Sequence, residues 1–290
     1  MKMKTILGAC MMAVMFASCS NEESGMDASK NEFTVITSID AMSRAPQLNP
    51  NGSGSFQKGD QYSLIFSTTD GLEYVHHFDY THGHSYYWAD LQVPVGHSQA
   101  KIAAVYPAVT VASTQAATAF KWDVTASNAT NDLLLAMPAS VEVNKTPSIQ
   151  LNFGHALHKF IVKLSGDDSF TKGVTITCRD FKPVADINLL TGTVAGASGE
   201  LESTTVSGTS ASFILPAQEV GTMAVVFNVE GKNYTFQLAD CKVNGQPLTK
   251  LESGMSFELN VTVSKNGFTI TGQEISAWGS QGSHSGTIIL

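Results

Sequence analysis

Along most of the chain, hydrophobic residues recur at every second position, the period of a strand with one buried face. Phe257, Leu259, Val261 and Val263 alternate with Glu258, Asn260 and Thr262. Phe213 and Leu215 follow the same rule, as do Val225, Phe227 and Val229, and then Tyr234, Phe236 and Leu238. Phe33, Val35 and Ile39 share one face of an early strand, and Phe160, Val162 and Leu164 one face of a later one. Turn residues separate these runs: Glu230-Gly231-Lys232-Asn233, Asn244-Gly245, Glu252-Ser253-Gly254 and Asn266-Gly267. Strands at about 8 to 12 residue intervals predict packed antiparallel sheets rather than an α/β fold. Residues 112–119 are rich in Ala and Thr without a 3.6-residue stripe, and predict a loop or a short turn of helix. The break at Asn144-Lys145-Thr146-Pro147 divides the rest into two β-sandwich domains, 45–150 and 151–290.

Composition narrows the picture. Charged residues are 14% of the chain, against about 25% in an ordinary soluble domain. Thirty serines and 27 threonines take their place, which excludes a coiled coil or helical bundle. A hydrophobic content of 43% excludes a disordered chain. With only 17 Lys plus Arg and a net charge of −8, no basic patch for nucleic acid or anionic lipid is expected.

The first residues have a different logic. Lys2 and Lys4 precede an apolar run from Ile6 to Phe16, too short to span a bilayer. The run ends in Ala17-Ser18-Cys19, which resembles a bacterial lipobox. Residues 1–18 are then a lipoprotein signal peptide and Cys19 the lipidation site; an ordinary secretory signal is the other reading. Residues 19–44 form an acidic tether and a removable N-terminal strand, and Glu22-Glu23 with Asp27 resemble a surface-export signal. Of four cysteines only Cys178 and Cys241 lie in the folded body, and both two buried thiols and one disulfide fit their spacing.

Candidate chemistry is sparse. The segment from His76 to Trp88 concentrates four histidines and five aromatics. A hairpin turning at Thr81 to Gly83 would bring His76 or His77 toward His84, where zinc or copper could accept imidazoles with Asp79. The simpler expectation is an aromatic hairpin without metal. Tyr86, Tyr87 and Trp88 are candidate ligand-binding residues, since ring faces suit sugars as well as cores. His155 and His158, three apart, would lie on opposite faces of one strand, with His155 in the core or capping. No G-x-S-x-G, P-loop or H-E-x-x-H motif occurs. No enzyme activity and no cofactor are expected.

Several motifs, each weak alone, occur together. Phe153-Gly154-His155-Ala156-Leu157-His158-Lys159-Phe160 is similar to the F-x-H-x-L-x-K signature of fimbrillin-like proteins of Bacteroidetes. Leu251 to Val263 resembles that family's late strand, Ile275 to Trp278 its closing I-x-x-W, and Val105-Tyr106-Pro107 its x-Y-P. The resemblance implies two tandem transthyretin-like antiparallel β-sandwich domains. It also implies cutting by an arginine-specific protease between Arg44 and Ala45, where Asp40-Ala41-Met42-Ser43-Arg44-Ala45-Pro46 follows the first strand. No other arginine precedes Arg179.

The implied function is a stalk or tip subunit of a surface pilus that contributes to adhesion. Such a protein travels as an outer-membrane lipoprotein, is processed after Arg44 and joins other fimbrillin subunits by donor-strand exchange. A sheet that loses a strand exposes unpaired backbone groups and a groove that another chain's strand can fill. Phe33, Val35 and Ile39 would leave with the removable strand. At the other end, Thr287-Ile288-Ile289-Leu290 is a candidate donor behind a flexible spacer, or else completes the second sandwich in its own chain. The alternative is a monomeric surface lipoprotein that binds glycan or host ligand through its aromatics.

Overall fold

The computed structural model describes residues 31–39, 55–69, 73–93, 96–126, 132–166, 171–243 and 245–264, and the backbone of 267–277. Cys19, Arg44, Ala45 and Thr287 to Leu290 lie outside the described residues.

The first half contributes β1 (Glu32–Ile39), β2 (Gln61–Ser67), β3 (Tyr74–Thr81), β4 (Tyr86–Tyr87), β5 (Gln99–Tyr106), β6 (Phe120–Asp123), β7 (Leu134–Glu142) and β8 (Ser148–His155). A 3-10 turn at Trp88–Leu91 and the helix α1 (Thr114–Thr118) interrupt them. The second half contributes β9 (His158–Gly166), β10 (Thr175–Phe181), β11 (Val184–Asn188), β12 (Thr193–Ser198), β13 (Glu202–Ser207), β14 (Ser210–Leu215) and β15 (Gln218–Glu219). Then come β16 (Ala224–Val229), β17 (Lys232–Gln237), β18 (Lys242–Val243), β19 (Gln246–Pro247), β20 (Lys250–Leu251), β21 (Met255–Ser264) and β22 (Gly267–Ala277). The protein is nearly all-β, as the two-residue period demands.

Turn chemistry sets the hairpins. Val229 pairs with Lys232, so Glu230 and Gly231 are the two loop residues between β16 and β17. Their φ values of 52° and 79° are both positive, the backbone of the primed turn that matches strand twist. The Ala- and Thr-rich stretch does form one turn of helix, α1, where the Ser113 side chain accepts from the Ala116 N–H.

Seven strands of the first half make one sheet in the order β3-β2-β5-β7-β8-β1-β4. Its middle strands are buried on both faces. Leu64, Phe66, Ile102, Ala104, Leu134 and Ala136 point into a core made by the first half alone. Ile65, Ala103, Val105, Leu133 and Leu135, the alternate positions, join a second core with Phe160, Phe227, Phe257 and other residues of the second half. Two four-stranded sheets, β13-β10-β16-β17 and β14-β9-β21-β22, enclose that second core.

The halves are less separate than their order along the chain suggests. β6 leaves its neighbours and pairs antiparallel with β11, in the three-stranded sheet β12-β11-β6. Trp122 of β6 is buried in the second core, and Lys121 of β6 bonds Asp186 of β11. The expected junction at 150/151 falls inside β8; the turn between the two cores is Ala156-Leu157. A break read from Pro147 marks the start of β8, because the residue before a proline favours extended backbone and the chain then simply continues as strand.

Candidate functional site

The first strand stands apart in the large sheet. β1 runs parallel to β8 over six consecutive pairs, from Thr34 opposite Ser148 to Ile39 opposite Phe153. On its other edge it meets only the two residues of β4, Glu32 with Tyr87 and Phe33 with Tyr86. Its sequence neighbours are elsewhere, since parallel strands require a long crossover rather than a hairpin. β1 is therefore a nearly terminal strand held by long-range contacts.

Its side chains alternate as the sequence predicts. Phe33 is 0% exposed, Val35 6% and Ile39 7%. They share a core with Ile149, Leu151 and Phe153 of β8. Thr34 and Ser38 face outward, and so does Ile36 at 49% exposure. Burying each of the three inward residues contributes about 2 kcal/mol.

The floor beneath Phe33 is aromatic. Its ring lies 5.3 Å from Trp88, 6.2 Å from Tyr80 and 6.3 Å from Tyr86, centroid to centroid. Tyr86 also packs 4.9 Å from Tyr80 and edge-on to Phe78 at 5.1 Å. The Trp88 indole N–H donates to the Thr146 carbonyl at 2.9 Å, which fixes the ring as part of the wall. Farther along, Phe56 packs 4.9 Å from both Tyr62 and Phe153.

Polar contacts fix the strand's position. On the β8 side, the Thr34 N–H donates to Pro147 O at 3.1 Å, and Ser38 Oγ lies 2.6 Å from Asn152 Oδ1. On the opposite side, the Val35 N–H donates to the Tyr80 hydroxyl at 3.2 Å, and that hydroxyl donates to His84 O at 3.0 Å. The Trp88 N–H donates to Asn31 O at 2.9 Å, and the Asn31 amide donates to Asn144 O. Burial raises the pKa of the Tyr80 phenol above its ordinary value, so it remains a neutral hydroxyl able both to accept and to donate.

Of the site residues expected from the sequence, Phe33, Val35, Ile39, Tyr86 and Trp88 meet at β1. Trp88 is 2% exposed, and Tyr86 is half-buried. Trp88 and Tyr86 line the bed of β1, where Trp88 is a packing residue, while Tyr87 is exposed at 47%. The expected hairpin of histidines is also replaced. β3 pairs with β2 while β4 pairs with β1, so the segment from His76 to Trp88 spans two places in the sheet. His76 stacks on Phe66 at 4.6 Å, His77 Nδ1 meets Val111 O at 2.9 Å, and Asp79 accepts from Ser63 at 2.7 Å. Among the described residues, no three potential metal ligands converge.

His155 and His158 do not share a strand. The first ends β8 and lies 2.9 Å from the Asp132 carboxylate; the second begins β9 and its Nδ1 donates to Glu252 O at 2.9 Å. Burial pushes His158 down to about 4. Cys178 and Cys241 are free and buried, and burial pushes both thiols up to about 12. Sequence reasoning gave Tyr80 no role beyond its place in the aromatic segment, and missed Phe56. Tyr80 is signalled only by its two-residue spacing from Phe78, and Phe56 by nothing local.

The model of the fimbrillin-like family matches residues 44–278. No curated protein matches the sequence. Solved structures share the fold, among them the following three. A candidate cell adhesion protein from Bacteroides uniformis is 17% identical, with a TM-score of 0.61 over 86% of this chain and 99% of its own. One from Bacteroides ovatus is 16% identical, with a TM-score of 0.60 over 86% and 98%. One from Parabacteroides distasonis is 10% identical, with a TM-score of 0.56 over 89% and 99%.

Proposed function

The chain belongs to the fimbrillin-like family, and from that premise we propose that it is a stalk or tip subunit of a cell-surface pilus that contributes to adhesion. The carrying observation is β1: a strand with three buried anchors, a full ladder on one edge and two paired residues on the other. Its removal leaves an apolar trough and the free edge of β8, the template another chain's strand needs. The solved neighbours' description as candidate cell adhesion proteins is in keeping with this reading.

The sequence of events follows from where the chain is tied. A lipid on Cys19 delivers the protein to the outer membrane. Arg44 lies five residues beyond the end of β1, and the family match begins at that residue. While the chain is intact, β1 is an intramolecular ligand at high effective concentration, and a strand from another molecule cannot compete. An arginine-specific protease that cuts between Arg44 and Ala45 ends that advantage without removing any contact. The excised segment then stays seated until an incoming strand displaces it.

Because the incoming strand belongs to another subunit, the contact is head-to-tail and does not close, so repetition gives a filament. Residues 45–290 polymerise as one unit, with Thr287 to Leu290 as the candidate donor. Exchanging Arg44→Ala should leave a full-length precursor on the cell, detected by mass spectrometry, with no fibres in negative-stain micrographs. Normal fibres from that variant would refute processing at this site.

A further inference from the structure

We infer that the bed of β1 selects the strand it accepts, by an aromatic-sized pocket at one end and a single hydrogen-bond pin beside it; this rests on the strand-replacement reading above. The pocket is the space filled by Phe33, walled by Tyr80, Tyr86 and Trp88 at 5.3–6.3 Å between centroids. Its walls are held from outside the strand. Trp88 is tied to Thr146 and the Tyr80 hydroxyl to His84, so the space does not collapse freely around a smaller side chain.

The pin is the Tyr80 hydroxyl. In a parallel ladder, alternate N–H groups point to opposite edges. Thr34 donates toward the β8 side, so Val35 donates away from it, where β4 no longer runs alongside, and Tyr80 Oη accepts that bond. A register slip of one residue would put outward side chains into the trough. A slip of two would restore the alternation but move the aromatic residue off its pocket. Pocket and pin together therefore admit one register, with an aromatic residue at the Phe33 position and β-branched residues two and six positions later.

The accepted partner is an extended segment of that pattern. The end Thr287-Ile288-Ile289-Leu290 has no aromatic residue; alone it would fill only the aliphatic part of the trough. The occupant is therefore a strand of another subunit, and it seats fully only where an aromatic anchor precedes its aliphatic residues.

The test uses the full chain cut by an arginine-specific protease and labelled synthetic peptides of residues 31–41. Fluorescence anisotropy should show the native peptide binding. The Phe33→Ala peptide should bind about 100-fold more weakly. A peptide methylated at the Val35 nitrogen should bind about tenfold more weakly to the unchanged protein, and this loss should shrink against Tyr80→Phe. The outward Ile36→Thr peptide should bind within about threefold of the native one. Equal binding of the native and Phe33→Ala peptides would overturn the selectivity while leaving strand replacement intact. No binding of the native peptide, with the excised segment shown by mass spectrometry to have left, would overturn both.

Discussion

The Tyr80 hydroxyl accepts the Val35 N–H at 3.2 Å across 45 residues of sequence, and joins β1 to the sheet on the edge that lacks a full ladder. Beside it, Phe33 is wholly buried against three aromatic rings. The first strand is thus part of the first core, and deleting its inward side chains is costly.

That cost can be measured in the intact chain. Phe33→Ala should destabilise by about 3 to 5 kcal/mol, the range for deleting a buried aromatic side chain. Ile36→Thr, on the outward face of the same strand, should change stability by less than about 0.5 kcal/mol. Calorimetric or denaturant unfolding of the two variants checks the contrast. Equal effects would mean that β1 does not sit in this register.

His158 makes stability depend on pH. Its folded pKa, about 4, lies below the ordinary 6.5, so the unfolded chain binds the proton more readily between those values. Its contribution is therefore full above pH 6.5 and is lost as pH falls toward 4, by about 3 kcal/mol. Unfolding midpoints at several pH values should drop more steeply for the unchanged protein than for His158→Gln. Parallel profiles would contradict the buried neutral imidazole.

The cysteines give a chemical readout. Free thiols pushed up to about 12 and packed in the second core carry almost no thiolate at neutral pH. Iodoacetamide should leave the Cys178 and Cys241 peptides unmodified in the native protein and label both in guanidinium without reductant. Peptide mapping that found them joined would contradict this.

Much of this arrangement was legible in the sequence, and what was not has a common cause. The period-two runs gave Phe33, Val35 and Ile39 their inward face, and Glu230-Gly231 its hairpin, because both depend on local backbone geometry. Pairing partners separated by sixty residues or more left no such trace. Nothing near Phe33 announces a parallel match to β8, and nothing in Phe120 to Asp123 says that it joins β11. For the same reason the sequence left Trp88 between a ligand-facing ring and a core ring. Its burial depends on a strand more than 50 residues upstream, and the alternation visible in a single strand does not say what covers it.

Strand replacement itself can be tested by fastening β1 in place. Ser38 and Asn152 are direct register partners on β1 and β8, and their outward side chains touch. Cysteines at the two positions, Ser38→Cys with Asn152→Cys, meet the spacing that a disulfide requires. Cut with an arginine-specific protease, the oxidised variant should keep residues 19–44 attached and stay monomeric on unheated SDS gels, and reductant should then release the segment and start a polymer ladder. A ladder that grows equally well with the disulfide intact would contradict the account.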